Sequence, residues 1–413
     1  MSDASLAGQF DVRGTFASLK YPNYRLWFLG QLVSLVGTWT QSAAQGYLIY
    51  ELTKSPAYLG YVSFVGGLPT WIFTLYAGVI ADRVPRRTLM VITQFSMMVL
   101  AFILAFLTFT GLVQAWQILI LSFLLGISNA FDAPARQAFV LEMVEREDMT
   151  NAIALNSTMF NLAFVLGPAL GGLIYAAVGP GWCFTINGIT FIAVIIALLL
   201  MKLKPFVPAS NTTSAISDMK EGLRYVANHS AVRMMISNLF VTTLFGLGIT
   251  ALIPAWANVV LHGNAATNGF LLAARGFGSL IGALLIASLG RFKWRGKMWS
   301  ANSLFLPISM MIFAVMTWLI PSLVAMAAMG FAFMVIVNLS NAMVQTRIAD
   351  EMRGRVMGVY TFFFFGAMPI GSLIAGWSAE IIGEPRTVMI SAIILLVFAV
   401  WVFWRQPAMR AME

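Results

Sequence analysis

Long apolar runs fill this chain, broken at intervals by Gly, Pro and charged residues. The runs are continuous and do not alternate at period 2, which sets aside a membrane β-barrel. A helix needs about 20 apolar residues to cross a bilayer, and the runs meet that length. Their punctuation predicts twelve spans, over 25–49, 57–80, 88–110, 115–138, 153–177, 182–201, 234–259, 266–289, 298–319, 322–345, 357–380 and 387–404. The fold class expected is an all-α membrane protein.

The longest connection, 202–233, falls after six spans and before six more. It divides the chain into an N-terminal six-helix bundle (1–201), a linker (202–233) and a C-terminal six-helix bundle (234–413). Pro205, Pro208 and a Ser/Asn/Thr run mark its first part as a connector. In its second part Ile216, Met219, Leu223 and Val226 recur at helical spacing beside Lys220 and Arg224, which predicts an amphipathic helix on the membrane surface. The halves also echo each other. The turn Glu51 to Gly60 returns in one ending at Asn268-Gly269, an interval of 269 − 60 = 209. The segment from Pro168 resembles the segment from Pro369, an interval of 200 to 201. A duplicated six-helix unit is a common plan for secondary transporters, with substrate held between the repeats.

Composition narrows the class. Of 413 residues 60% are hydrophobic and 10% charged, against about 25% charged in soluble domains. Roughly 34 residues per span (413 divided by 12) leave no room for a separate soluble domain. The net charge of +9 is a matter of topology: 22 of the 25 Lys and Arg fall in connections on one side, only Lys54 and Arg386 on the other, and Arg275 inside a span. By the positive-inside rule both termini are expected in the cytoplasm of a multi-pass inner-membrane protein. The charge then requires no nucleic-acid partner. No apolar core of signal-peptide type precedes the first span, so that span is expected to direct insertion. A single cysteine, Cys183, and two histidines, His229 and His262, offer no metal cluster. No cofactor and no nucleotide site are expected, since no G-x-x-x-x-G-K-[ST] run occurs.

Between the second and third spans lies Gly78-Val79-Ile80-Ala81-Asp82-Arg83-Val84-Pro85-Arg86-Arg87. Gly78 would permit close helix approach, Asp82 would accept from a neighbouring helix N-terminus, and Arg83, Arg86 and Arg87 would bind carboxylates or lipid phosphate, a gating latch that forms in one conformation and breaks in another, with a topogenic basic loop as the alternative. The run resembles the G-x-x-x-D-R-x-x-R-R/K signature of the major facilitator superfamily. Its counterpart in the second half, Gly290 to Lys297, keeps the positive charge and lacks the aspartate. Gly167-Pro168-Ala169-Leu170-Gly171-Gly172 in the fifth span resembles the family's antiporter-associated G-P-x-x-G-G motif. Helix packing alone is an equal reading of it. Tyr21 to Trp27, Glu51 to Gly60, Asn129 to Ala138 and Ile348 to Gly358 are similar to the enterobactin-exporter and macrolide-efflux-like branch. The resemblance spans essentially the whole chain. It implies two pseudo-symmetric bundles, with helices one, four, seven and ten around a central cavity.

Polar residues within the spans are the candidate site, because charge at bilayer depth is costly unless it faces a partner or a cavity. Gln31, Ser34, Thr38, Gln41 and Gln45 recur at intervals of 3 and 4 in the first span; Asn129, Asp132 and Arg136 do so in the fourth; Asn338, Asn341 and Gln345 do so in the tenth. These are the candidate cavity residues, with interhelical hydrogen bonding as the alternative. Asp132 and Arg136 stand at i and i+4, either as a gate ion pair or as a proton-coupling pair. Arg275 has no carboxylate at i±3 or i±4. It would bond carbonyls of another helix or hold an anionic or hydrogen-bond-accepting part of a substrate. The function expected is proton-coupled export of a small amphipathic compound by a monomer in contact with membrane lipid. An importer or uniporter on the same fold is the nearest rival, and a channel or lipid scramblase a further one. An enzyme is disfavoured for want of a nucleophile–base or metal-ligand cluster.

Overall fold

The computed structural model describes residues 16–140, 142–203, 215–290 and 292–405, without the side chains of Thr74, Leu75, Val79, Asp82, Ala215 and Ile216. The connector at Pro205 and Pro208 lies outside the described residues. Helices dominate, and no strand occurs among the described residues. Helix α1 (Pro22–Thr53) opens on a proline, whose fixed φ and missing N–H suit the first turn, and stops at Lys54 in the left-handed region. The second, α2 (Pro56–Arg83), opens in the same way. Then come α3 (Arg86–Phe109), α4 (Ala115–Val140), α5 (Met149–Val178) and α6 (Pro180–Leu200). A shorter α7 (Ala215–Asn228) precedes α8 (Ser230–Thr242). The latter continues through a π turn (Thr243–Leu247) and a 3-10 turn (Gly248–Leu252) into α9 (Ile253–Val259). The chain finishes with α10 (Ala265–Leu289), α11 (Arg295–Val315), α12 (Leu319–Gln345), α13 (Arg353–Ile382) and α14 (Glu384–Arg405).

Among the described residues ten helical stretches are long and apolar enough to cross a membrane; α1 and α2 lie outside those ten. The glutamines and hydroxyls along α1 lower its hydropathy. The end of the molecule that carries Pro22 and Arg405 is called here the near end, and the opposite one the far end.

Most helices run a few residues beyond the spans read from the sequence, and two boundaries move in other ways. The ninth span was expected to reach 319, but α11 stops at Val315 and Leu319 opens α12. The amphipathic segment ends at Asn228, because Ser230 to Arg233 already belong to α8. This α7 also packs on protein. A Cβ on Gly222 would sit 2.6 Å from the Arg355 carbonyl of α13, and Arg355 bridges Asp218 (2.9 Å) and Glu221 (2.8 Å). Val226 is buried in this contact while Leu223 stays exposed.

Element lengths recur along the chain. Both α5 and α13 have 30 residues, start 353 − 149 = 204 apart, and end at Gly179 (φ 93) and Gly383 (φ 83). Gly167 therefore corresponds to Gly371, and Gly172 to Gly376. The interval of 200 to 201 read from the proline segments is about one helical turn out of step. Small residues repeat about every turn on both helices, so a one-turn slip matches almost as well. Helices α2 and α10 start 265 − 56 = 209 apart, which pairs Gly60 with Gly269.

Apolar cores follow the halves. One runs from Val226 to Val402 and another from Tyr24 to Met201. A third, at the far end, joins Ala44 to Phe184 of the first half with Ala255 and Ala265 of the second.

Candidate functional site

At the far end the halves meet at two glycine crossings. A Cβ on Gly60 of α2 would lie 2.8 Å from the Ser372 carbonyl, and one on Gly376 of α13 would lie 3.0 Å from the Gly60 Cα. A Cβ on Gly172 of α5 would lie 2.5 Å from the Ala265 carbonyl and 2.9 Å from the Gly269 Cα of α10. Only glycine lets the backbones come this close. By the offsets of 204 and 209, the two crossings are copies of one another. Hydrogen bonds reinforce them. Ser55 Oγ (2.6 Å) and the Ala57 amide (3.2 Å) donate to Glu380, and Trp377 Nε1 donates to the Tyr61 hydroxyl (2.7 Å). Asn268 donates to the Ala43 carbonyl at 3.3 Å. Glu380 escaped the sequence reading because a carboxylate at a span's end looks like ordinary surface charge.

Within the first half, the polar face of α1 divides among partners. Gln41 accepts from Asn187 of α6 at 2.8 Å, and Gln45 donates to Ser122 of α4 at 2.8 Å. Thr38 bonds back to the Ser34 carbonyl, and Gln31 is buried with its Oε1 unpartnered. Asp132 is 3% exposed. Its Oδ1 accepts from Thr93 Oγ1 and Gln94 Nε2 of α3, each at 3.0 Å, and Arg136 Nε lies 3.6 Å from its Oδ2. Gln94 Oε1 is buried and has no partner. Asn129, three residues before Asp132 and so about 60° round the helix, is exposed and donates to the Leu125 carbonyl. Thr93 and Gln94 were legible as polar breaks in the apolar run of the third span.

At the near end, Arg86 pairs with Glu142, and Arg87 donates to the Leu199 (2.7 Å) and Met201 (3.2 Å) carbonyls at the end of α6. These arginines tie α3 to α4 and α6 inside their own half. Arg83 is exposed, and the Asp82 side chain lies outside the described residues. The close approach expected at Gly78 is not made in this conformation: a Cβ there would meet nothing within 4 Å. Nearby, Asp148 accepts from Lys20 (2.6 Å) and Tyr21 (2.7 Å). Those hydrogen bonds hold its carboxyl below the usual carboxylate range and raise the lysine and the tyrosine.

The Gly167–Gly172 motif has two contacts. Gly167 and Gly171 seat α5 on α1, against Trp39 and the Thr40 carbonyl, with Thr40 Oγ1 donating to the Gly167 carbonyl at 3.0 Å. Gly371 seats α13 on the π turn at Leu244 in the same way. Gly172, with neighbouring Pro168, faces α10 across the seam instead.

In the second half Arg275 is 8% exposed, with its guanidinium 5.8 Å from the Phe164 ring centroid and 5.9 Å from that of Phe333. Asn341 accepts from Gln345 at 2.6 Å, and Asn338 is half-buried on the same helix. A cavity of about 300 Å³ opens between α2, α7 and α13, lined by Thr70, Trp71, Met219, Met357 and Phe362 among others. Trp71 stacks on Phe362 there at 5.4 Å.

An all-helical body with ten helices, among the described residues, long and apolar enough to cross a membrane has the architecture of a multi-pass membrane transporter. Residues 13–413 match the transmembrane secretion effector family, a branch of the major facilitator superfamily, and the chain belongs to it. It is a transporter of small molecules and not an enzyme. The staphyloferrin A transporter of Staphylococcus aureus is 24% identical over 89% of this chain and 92% of its own. Macrolide efflux protein A of Streptococcus pyogenes is 24% identical over 92% of this chain and 96% of its own. The crystal structure of a mutant form of the nucleoside transporter NupG superposes with a TM-score of 0.75 at 14% identity, covering 95% of this chain and 99% of that one. That likeness concerns the fold.

Proposed function

We propose that this chain is a proton-coupled exporter of small amphipathic compounds, working by alternating access between two six-helix bundles linked by 202–233. The observation that carries this reading is the pair of glycine crossings related by the internal repeat. Two bodies that each keep a core of their own, and share a third only at the far end, can part along such a seam without breaking either of the first two. The positive-inside rule puts the near end in the cytoplasm, so the described state is sealed toward the outside. Gly78 and Arg83, which face open space and solvent here, would meet the second half when the near end closes. Glu380 would then release Ser55 and Ala57.

Asp132 is the proton-carrying group in this reading. Its carboxylate accepts from Thr93 and Gln94 and is ion-paired with Arg136, and Gln94 holds a second, unused acceptor beside it. Protonated Asp132 would have that oxygen to donate to, so both protonation states would find partners. Gln31, Thr38, Gln41, Gln45, Asn129, Asn338, Asn341 and Gln345 would supply the polar lining as the bundles move. A monomer contains the whole seam. The efflux named for the macrolide relative supports the outward direction over an importer or uniporter.

The test is reconstitution of the full chain in liposomes with an imposed pH gradient, using a labelled macrolide, a hydroxycarboxylate siderophore and ethidium. The reading requires that at least one compound move against its own gradient and stop when an uncoupler is added. Failure of all three to accumulate, or accumulation indifferent to the uncoupler, would overturn it. A channel would show flux that does not saturate.

A further inference from the structure

We infer that Arg275 binds an oxyanion on the transported compound, so that the preferred cargo is an amphipathic acid with a carboxylate or phosphate on an apolar body. This rests on the transport reading above and adds the charge of the substrate to it.

Arg275 is the eleventh residue of the 25-residue α10, and so lies near the middle of the membrane. It is 92% buried (100 − 8), and among the described residues its guanidinium takes part in no hydrogen bond or ion pair. Two aromatic faces lie beside it at 5.8 and 5.9 Å. A ring face at that separation offsets only part of the loss of water around a cation. Lysine could shed its proton in such a place, whereas a guanidinium keeps its charge. The structure therefore holds a permanent cation whose donors are unfilled. Its planar fork matches two oxygens of a carboxylate or phosphate.

The position also suits a cargo that must be felt by both halves. Phe164 belongs to α5 and Phe333 to α12, so one ring comes from each half. The next residue, Gly276, touches the Phe164 backbone, where a Cβ would lie 2.8 Å from the carbonyl oxygen. An anion seated at Arg275 would neutralise the charge at the place where α5 and α10 slide, with aromatic walls around its apolar part. Anionic lipid offers the same headgroup chemistry, so the test separates the two sources.

The experiment uses the purified full-length chain in phosphatidylcholine nanodiscs, with empty nanodiscs as the blank. Binding is read by tryptophan quenching and thermal shift. The probes are pyrenebutanoate, dodecanoate and ibuprofen, each against its own neutral amide. At least one acid should bind about tenfold or more tightly than its amide. Arg275→Gln and Arg275→Met should erase that difference without weakening the amide, and Arg275→Lys should keep part of it. The wild-type comparison decides even if a variant fails to fold. No acid preferred over its amide, or a preference that survives in Arg275→Gln, overturns the inference. So does a second arm in which added phosphatidylglycerol stabilises the wild type through Arg275 and abolishes the acid preference, which would assign the site to lipid. The assay applies no gradient. A preserved acid preference with no uphill transport would therefore fail the transport reading alone, and the converse would fail this inference alone.

Discussion

Replacing Gly172 by alanine tests the seam with a single methyl group. The added Cβ would lie 2.5 Å from the Ala265 carbonyl oxygen, 2.9 Å from the Gly269 Cα and 3.0 Å from the Ala266 Cα. Carbon atoms rest about 3.5–4.0 Å apart, so the overlap is roughly 0.5–1 Å. All three neighbours are backbone, and no rotamer change relieves them. Overpacking of this kind costs about 1–3 kcal/mol. It is imposed only where α5 and α10 are pressed together. The alanine's helix-propensity gain of about 0.5–1 kcal/mol applies to both states and cancels. The ratio of far-end-open to far-end-closed molecules should therefore rise about 5- to 150-fold. The assay is electron–electron double resonance between spin labels at Val178 and His262, both exposed or half-exposed, in a Cys183→Ala background. The longer-distance population should grow in Gly172→Ala and should not grow in Gly78→Ala, where a Cβ meets nothing within 4 Å in this conformation. A wild-type distribution in Gly172→Ala, or an equal shift in both variants, would refute the reasoning.

Three further outcomes follow from particular contacts. Asp132→Ala leaves Thr93, Gln94 and Arg136 without their acceptor and should lower stability by about 2–4 kcal/mol in a denaturant titration. Asp132→Asn keeps an acceptor and should lose far less, while uphill accumulation in liposomes disappears and downhill exchange persists. Glu380→Gln weakens a charged bond to Ser55 and Ala57 that is partly open to water. Allowing for that screening, about 0.5–1 kcal/mol is lost from the closed far end. Tyr61→Cys should then react a few-fold faster with an impermeant thiol reagent. The third concerns pH. The Asp148 carboxyl is held low, so its contact is present above the ordinary carboxylate value of about 4 and is lost as pH falls through its own lower value. Lys20 is raised, so its share is complete below the ordinary lysine value and is lost only as pH rises past its own higher one. The Ser18 amide, which donates to Asn151, should keep its exchange protection across neutral pH and lose it in acid. Asp148→Asn should abolish that pH dependence.

The helices were legible because hydropathy and punctuation coincide in this chain. Pro22, Pro56 and Pro180 open α1, α2 and α6, while Gly179 and Gly383 close α5 and α13. What faces what was harder to read. Periodicity puts Gln41 and Gln45 on one face of α1, yet each finds a different helix, because a helix inside a bundle is surrounded. Asp132 likewise turns to α3, a helix with no charge beyond its first two residues. The repeat was sensed through the Gly60 turn but misaligned by a turn at Pro168, since glycines carry little sequence information. The seam is built from just those residues. Arg275 stood out in the sequence and in the structure for the same reason, a charge at mid-membrane without a carboxylate beside it.

The most direct test of rocking reads both ends of one helix pair at once. Labels at Val178, which ends α5, and at His262, in the turn before α10, report the far end, and labels at Ile153 and Leu284, exposed on α5 and α10, report the near end. Measured in nanodiscs on either side of a pH step, the two distances should change in opposite directions, one lengthening as the other shortens. Both lengthening together, or the far-end pair moving while the near-end pair stays fixed, would contradict two rigid halves rocking against each other.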